Sequence, residues 1–229
     1  MCGRINLKTA PSSWAQLFLP NLPMDEAVAE LPPRYNIAPT QTIAAVVAHD
    51  SGWRATTFRW GLVPSWADDL SIGNRMINAR SETAHEKPSF KRALANRRCL
   101  IPVDGYYEWK KVSNGKQPYY IHSSCDRPLA LAGLWESNSK ASPEGPIKTC
   151  TIMTTSANDF AKSVHDRMPV IIDPSDFSKW LDPDVDAIEE ISPMLRPAND
   201  DALAMRPVSR YVNNARNEGP QCLDPSEEE

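Results

Sequence analysis

The residue of this chain best equipped for chemistry is its second. The sequence opens Met1-Cys2-Gly3-Arg4, and a small residue at position 2 is the usual requirement for removal of the initiator methionine, so the mature chain is expected to begin with a free cysteine. One residue then carries two nucleophiles. An α-amine titrates at about 7.7–8.0 and an unperturbed thiol at about 8.5, so both are available to an electrophile near neutral pH. Such a 1,2-aminothiol takes an aldehyde first as an imine on nitrogen and then closes sulfur onto the same carbon, giving a thiazolidine ring. The plain alternative is a frayed end, because termini order only where something ties them down.

Other polar groups interrupt runs where a core calls for apolar residues. Asp104-Gly105-Tyr106-Tyr107-Glu108-Trp109 sets a carboxylate inside an aromatic strand. Burying Glu108 without a partner is costly, and a carboxyl in such surroundings tends toward a raised pKa suited to proton transfer. Val164-His165-Asp166-Arg167-Met168-Pro169 holds one of the 4 histidines, and any of His49, His85, His122 and His165 taken alone is more often structural than catalytic. Arg34-Tyr35-Asn36-Ile37-Ala38-Pro39-Thr40 reads as a compact polar and aromatic turn. Trp60-Gly61-Leu62-Val63-Pro64-Ser65-Trp66 places two tryptophans around a Gly/Pro loop. Trp60 is expected in the core, whereas Trp66 is expected exposed, where a base could stack on it for about 1–3 kcal/mol. Asn78-Ala79-Arg80-Ser81-Glu82 follows a short apolar pair.

Positioning these groups falls to an α+β chain rich in short strands. Its 229 residues suffice for a sizeable core, and no apolar run approaches the ~20 that cross a bilayer. Residues 12–19 and 90–98 read as helices, and residues 42–48 and 53–60 as a hairpin about Asp50-Ser51-Gly52. Successive strands are expected at 99–103, 106–111, 118–122, 129–135 and 150–155, with Asn114-Gly115 as one of the turns. Short helices at 175–181 and 185–191 and a strand near 204–208 complete the pattern. Proline, 21 residues, is about twice the usual ~5%, so connections should be rigid and strands short. Cys2, Cys99, Cys125, Cys150 and Cys222 show no C-x-x-C pairing, which speaks for reduced thiols rather than a disulfide framework or a zinc site. Cys99 and Cys150 lie in apolar runs and are expected to be packing residues. The absence of a Gly-rich phosphate loop and of βαβ alternation argues against a Rossmann or P-loop enzyme, and the pattern calls for neither metal nor cofactor. No basic and apolar leader opens the chain, so a cytoplasmic, membrane-free protein is expected.

Charge is informative locally. A net charge of −4 speaks against a general duplex-DNA binder. From Arg75 to Lys116, however, ten basic residues face four acidic ones, while from Asp173 onward fourteen acids face five bases. A basic surface in the middle can therefore coexist with an acidic one elsewhere, the alternative for residues 87–98 being a solvated helix face.

In chain order, Cys2-Gly3-Arg4, the Arg34 to Pro39 block, Trp60-Gly61-Leu62-Val63-Pro64, Asn78-Ala79-Arg80-Ser81-Glu82-Thr83, Asp104 to Trp109, His165 to Pro169 and Pro207-Val208-Ser209 resemble the SRAP family, named for SOS response-associated peptidase. The resemblance spans nearly the whole chain. It implies one β-rich α+β domain over residues 1–223, with a central barrel-like arrangement of strands, peripheral short helices and a short acidic tail at 224–229. It further implies a monomer that senses abasic sites in single-stranded DNA, single/double-strand junctions among them, and cross-links to them covalently, shielding replicating DNA from breakage.

The resemblance also implies roles. Cys2 is the covalent nucleophile through N and S, Glu108 shuttles protons during ring opening and imine formation, His165 acts as acid or base at the sugar oxygen and in reversal, and Asn78 orients the sugar and the amine. Arg4 and Arg80 hold phosphates beside the lesion, Trp66 and Pro39 fill or flank the stack, and Ser209 joins the DNA-binding set. Phosphate contacts give affinity without sequence information, as suits damage in any context. Where family members carry two adjacent tryptophans after the Gly/Pro loop, this chain has Trp66 followed by Ala67. Two other classes stand beside this one: a self-processing N-terminal-nucleophile cysteine peptidase, and a non-catalytic single-strand binder with Cys2 incidental. Against the peptidase, a single methionine precedes Cys2. The intact mass of the purified protein is expected to fall one methionine short of the full sequence; a mass that includes Met1 would put the amine on the wrong residue.

Overall fold

Alternating apolar and polar residues favour half-buried strands, and although the proline content led to an expectation of short ones, six of the strands run for eight to ten residues. The computed structural model describes residues 2–18, 20–49 and 52–226. Among them the strands are β1 (Ile5–Leu7), β2 (Arg34–Ile37), β3 (Thr42–His49), β4 (Gly52–Trp60), β5 (Asn78–Arg80) and β6 (Arg98–Val103). They continue with β7 (Gly105–Val112), β8 (Gly115–Ser123), β9 (Leu129–Asn138), β10 (Ile147–Ser156), β11 (Arg167–Pro169) and β12 (Leu203–Pro207). Helices are short and peripheral, Pro11–Phe18 being the longest described, and none is long and apolar enough to cross a membrane.

The strands form two sheets. In the first, β12, β8, β7, β1 and β2 lie side by side, all antiparallel. In the second, β10 pairs with β4, β4 with β3, β3 with β6, β6 with β9, and β9 returns to β10. This ring is the expected barrel, and its closure leaves those strands no open edge. β5 and β11 attach to β10 beyond the ring, with Thr154 paired to Arg80 on one side and to Pro169 on the other. Trp14, Trp60 and Trp180 are fully buried in the main core, with Cys99 and Cys150 beside them as packing residues. A smaller cluster of Tyr107, Tyr120, Val208, Val212 and Cys222 is separate from it.

The expected elements recur with adjusted limits. The first helix is Pro11–Phe18, Leu19 lying outside the described residues. β3 and β4 form the hairpin, with His49 opposite Gly52, while Asp50 and Ser51 also lie outside the description. The second helix is only Lys91–Asn96, because Arg98 already belongs to β6. A helical turn at Pro174–Asp176 runs into Phe177–Leu181, and the next helix shrinks to Ile188–Ile191, since Asp182 accepts from the Asp184 N–H in a turn. The stretch expected as a polar turn at 34–40 begins with β2, and β1, β5 and β11 had no counterpart in the sequence pattern. The Ser209 N–H donates to Asp224 O at 2.8 Å and Val208 bridges to Pro225, while Glu227 to Glu229 lie outside the described residues.

Part of the basic stretch proves structural. Arg98 is buried, and its guanidinium donates to the carbonyls of Leu94, Ala95, Trp180 and Asp182, closing two helix ends. Arg97 pairs with Glu136 at 2.9 Å and lies over Trp135. Neither belongs to a free basic face.

Asp104 links the two sheets, standing between β6 of the ring and β7 of the first sheet. Its carboxylate accepts from Lys8 N–H at 2.6 Å, Thr9 N–H at 2.8 Å and the Thr9 hydroxyl at 2.6 Å, and its own N–H donates to Asn6 O at 3.0 Å. The clamp fixes the exit of β1. Gly105 completes the crossing, because a Cβ there would lie 2.5 Å from the Tyr120 ring and 2.6 Å from Ile121 O. Asp104→Ala should cost about 2–4 kcal/mol in urea unfolding, since buried donors lose a charged acceptor, and Asp104→Asn, which keeps one acceptor oxygen, should cost less. Wild-type stability in Asp104→Ala would show that the clamp carries no energy.

Candidate functional site

Strand register delivers Cys2 to Glu108. Ile5 pairs with Tyr106 and Asn6 with Gly105, and the Tyr107 N–H donates to Arg4 O at 2.9 Å. Carried one residue further, the register sets Gly3 opposite Glu108, with Cys2 next along the chain. Alternation puts Tyr106 and Glu108 on one face of β7 and Tyr107 and Trp109 on the other. Tyr106 accordingly shares the main core with Cys2, while Tyr107 and Trp109 belong to the smaller cluster. Cys2 is 0% exposed and Glu108 5%. Burial pushes the Cys2 thiol well above its usual range, the Glu108 charge pushes it further, and the Arg4 backbone N–H pulls the other way. The sulfur is therefore a thiol at neutral pH, unlike the freely titrating group expected for a frayed end.

Asn78 and His165 sit on the second sheet, along β10. Asn78 opens β5 opposite Ile152; its Nδ2 donates to Ile77 O at 3.0 Å, and its buried Oδ1 has no partner among the described residues. His165 precedes β11. Its Nδ1 lies 3.0 Å from the Arg167 N–H and 2.9 Å from Asp166 Oδ1. A ring protonated on Nε2 accepts from Arg167, and one protonated on Nδ1 faces a carboxylate, so both states have a partner. Arg167 also forks onto Glu82, at 2.5 and 2.9 Å, and donates to Thr154 O at 2.7 Å. That pair holds the Glu82 carboxyl below its usual range and ties the block of Asn78 to that of His165. Glu82 and Arg167 escaped sequence reasoning, although each lies within a chemistry-bearing block and their charges are opposite.

The expected DNA-contacting residues divide into free and fixed. Trp66 is 53% exposed and Trp60 0%. The loop under Trp66 is held by buried Asn138, whose Nδ2 donates to Pro64 O at 2.6 Å and Ala67 O at 2.8 Å. Ala67 is buried, so a single tryptophan of the pair position faces solvent. Arg80 is exposed at the end of β5. Pro39 is half-buried in a turn whose Thr40 has φ 74° and donates its N–H to Trp60 O at 2.8 Å. Arg4 is anchored: Nη1 donates to Asn36 Oδ1 at 2.6 Å and Val212 O at 2.8 Å, and the guanidinium lies 5.6 Å over Trp109. Asn36 in turn donates to the carbonyls of Val212, Asn214 and Asn217, holding the C-terminal segment beside Arg4. Ser209 caps the turn Arg210–Asn213 by accepting from the Tyr211 N–H at 3.2 Å. Tyr211, 41% exposed, is a second surface aromatic that the sequence pattern did not single out.

Comparison with known proteins places these blocks in context. The family model described as SOS response associated peptidase (SRAP) matches residues 1–215. Abasic site processing protein YoaM of Bacillus subtilis (strain 168) is 40% identical over 226 residues, 98% of either chain. Abasic site processing protein HMCES of Gallus gallus is 36% identical over 192 residues, covering 74% of this chain and 56% of that one. A protein of Bacteroides thetaiotaomicron shares the fold, with a TM-score of 0.87 over 98% of this chain and 100% of its own at 23% identity. A phage-related protein of Bordetella bronchiseptica superposes with a TM-score of 0.70 at 33% identity, over 90% of this chain and 94% of that one.

The thiols should differ sharply in reactivity. Cys125 is exposed and its thiol is lowered, chiefly by the Ser123 hydroxyl at 3.1 Å, whereas burial raises Cys2, Cys99, Cys150 and Cys222. Iodoacetamide at neutral pH should label Cys125 well before Cys2, as read by peptide mass mapping. Labelling of Cys2 as fast as Cys125 would contradict its burial.

Proposed function

The chain belongs to the SRAP family, and from that premise we propose that it processes abasic sites in DNA by trapping the ring-opened sugar as a thiazolidine on Cys2. The observation that carries this reading is the placement of Cys2 beside the buried carboxylate of Glu108. An abasic deoxyribose exists in equilibrium with its open aldehyde. The Cys2 amine, freed by loss of Met1, adds to the aldehyde carbon, and the carbonyl oxygen leaves as water to give the imine. The thiol then adds across C=N, sulfur to carbon and its proton to nitrogen. The sum is aldehyde plus aminothiol to thiazolidine plus water, with no change of oxidation state. A raised thiol suits this order, because the amine attacks first and sulfur delivers its own proton in the second step.

In this reading Glu108 takes the proton from the attacking amine and returns it to the departing hydroxyl. His165, partnered in both protonation states, serves the sugar ring oxygen in opening and in reversal, and Asn78 offers its unfilled Oδ1 to the amine or a sugar hydroxyl. Arg80 and the anchored Arg4 take phosphates, Trp66 stacks a neighbouring base, and Pro39 and Ser209 flank the strand. The substrate is single-stranded DNA, including its junctions with duplex, bound by one copy of a domain spanning residues 1–223 in the cytoplasm or on the nucleoid. The likeness to YoaM, an abasic site processing protein, over 98% of either chain supports abasic sites in DNA as the substrate.

One denaturing gel tests it. Mixed with a single-stranded oligonucleotide bearing one abasic site, the protein should give a stable adduct, with little from intact strand. Cys2→Ala should abolish it, and Cys2→Ser should give only an imine trapped by borohydride. Glu108→Gln and His165→Ala should slow formation by roughly 10²–10⁴-fold with near-normal binding. Arg80→Ala should flatten the salt dependence of binding by about 0.7 in slope, and Trp66→Ala should weaken binding without changing it. An adduct equally stable in Cys2→Ala would overturn the mechanism. Binding without any adduct would leave a non-covalent binder.

A further inference from the structure

Tyr106 stands two residues before Glu108 on the same face of β7, directly opposite Ile5 of the strand that delivers Cys2. Its side chain is 1% exposed and belongs to the core cluster that contains Cys2. Its hydroxyl is buried and has no hydrogen-bond partner among the described residues. A phenylalanine would fill the same space without that oxygen, and an unpaired buried hydroxyl is a net cost to the folded state. On the opposite face the Tyr107 hydroxyl is satisfied, donating to Tyr35 O at 2.8 Å. The unfilled donor is therefore on the side of β7 where the nucleophile lies.

We infer that the Tyr106 hydroxyl is a further substrate-recognising group, donating a hydrogen bond to the oxygen on the electrophilic carbon of the opened sugar. The inference rests on the cross-linking function proposed above and adds a residue to it. As the amine adds, the C=O π bond breaks and negative charge gathers on that oxygen, so a donor whose acceptor forms only there stabilises the transition state more than the free protein. Burial, then the neighbouring Cys2 and Glu108, hold the phenol well above its usual range. Tyr106 therefore keeps its proton throughout. The proton that makes the oxygen a leaving water comes by way of Glu108 from the attacking amine.

Single-turnover cross-linking of the abasic oligonucleotide, run beside thermal melts, tests the assignment with Tyr106→Phe and Tyr107→Phe. Tyr106→Phe should lower the saturating rate constant on the order of a hundredfold, while the DNA concentration for half saturation is unchanged and the melting temperature is unchanged or higher. Tyr107→Phe should do the reverse, melting earlier and reacting at the wild-type rate. A wild-type rate in Tyr106→Phe, or a loss of rate that tracks a lower melting temperature, would overturn the inference while leaving the cross-linking function standing. Absence of an adduct from the wild-type protein would instead remove the function on which the inference rests.

Discussion

A chain terminus is chemically ordinary until something draws it out of water, and here the pairing of β1 with β7 does so. β1 has only three residues, Ile5–Leu7, too few to hold a register through ladder bonds alone. Asp104 supplies the missing constraint by gathering the N–H groups of Lys8 and Thr9 and the Thr9 hydroxyl at the end of the strand, while β7 is backed by eight paired residues of β8. With β1 fixed, the register leaves Cys2 no choice but the core beside Glu108. Released from that pairing, Cys2 would titrate as a free aminothiol and lose its neighbouring carboxylate. Held in it, the thiol stays protonated, and in the function proposed above the amine is the group that reacts first.

That arrangement costs stability. Among the described residues, buried polar atoms without partners include Tyr106 Oη, Arg4 Nε and Asn6 Nδ2 on the β1 and β7 side, Asn78 Oδ1, Thr151 Oγ1 and Arg167 Nε along β10, and Trp14 Nε1, Arg59 Nη1 and Arg97 Nε elsewhere. A protein interior normally satisfies such groups. Those on the strands that carry Cys2, Glu108, Asn78 and His165 fit the proposed site, whose remaining bonds would be made with a substrate. Other buried polar groups are used up: Asn36 and Asn138 spend their amides on backbone carbonyls, and Arg98 spends its guanidinium on helix ends. Polar side chains in this fold thus divide into those that fasten loops and those left with capacity.

Strand length decided which elements were legible in the sequence. β3, β4, β7, β8, β9 and β10 run for eight to ten residues, long enough for period-2 alternation and β-branched content to show. β1, β2, β5 and β11 have three or four residues, and they bear or lie near Cys2, Asn36, Asn78 and His165, so the candidate site lies on the elements that periodicity cannot find. Those stretches were visible instead as polar interruptions, and their joint order carried the resemblance to a family. The barrel came from that resemblance as well, because ring closure depends on pairings such as β3 with β6 and β9 with β10 that no local pattern encodes. Counting charges misjudged Arg97, Arg98 and Asp104 for a related reason: a composition window records that a charge is present, and only the fold records that it points inward.

In the function proposed above, the two sheets divide the chemistry between them. Cys2, Tyr106 and Glu108 belong to the first, and Asn78, Arg80 and His165 flank β10 of the second, so productive geometry depends on how the sheets are joined as much as on either one. The join is covalent and short. β6 of the ring becomes β7 of the first sheet across Asp104 alone, and the side chain of that residue also clamps β1. On the other side, the Glu82–Arg167 fork ties β5 to β11 across Thr154. Bond formation at a single carbon tolerates errors of no more than about 1 Å before rates fall steeply. A nucleophile on a flexible terminus could not meet that requirement. One tied through β1 to the carboxylate that stands at the sheet junction is held closer to it, because the exit of β1 is clamped by the same residue that joins β6 to β7.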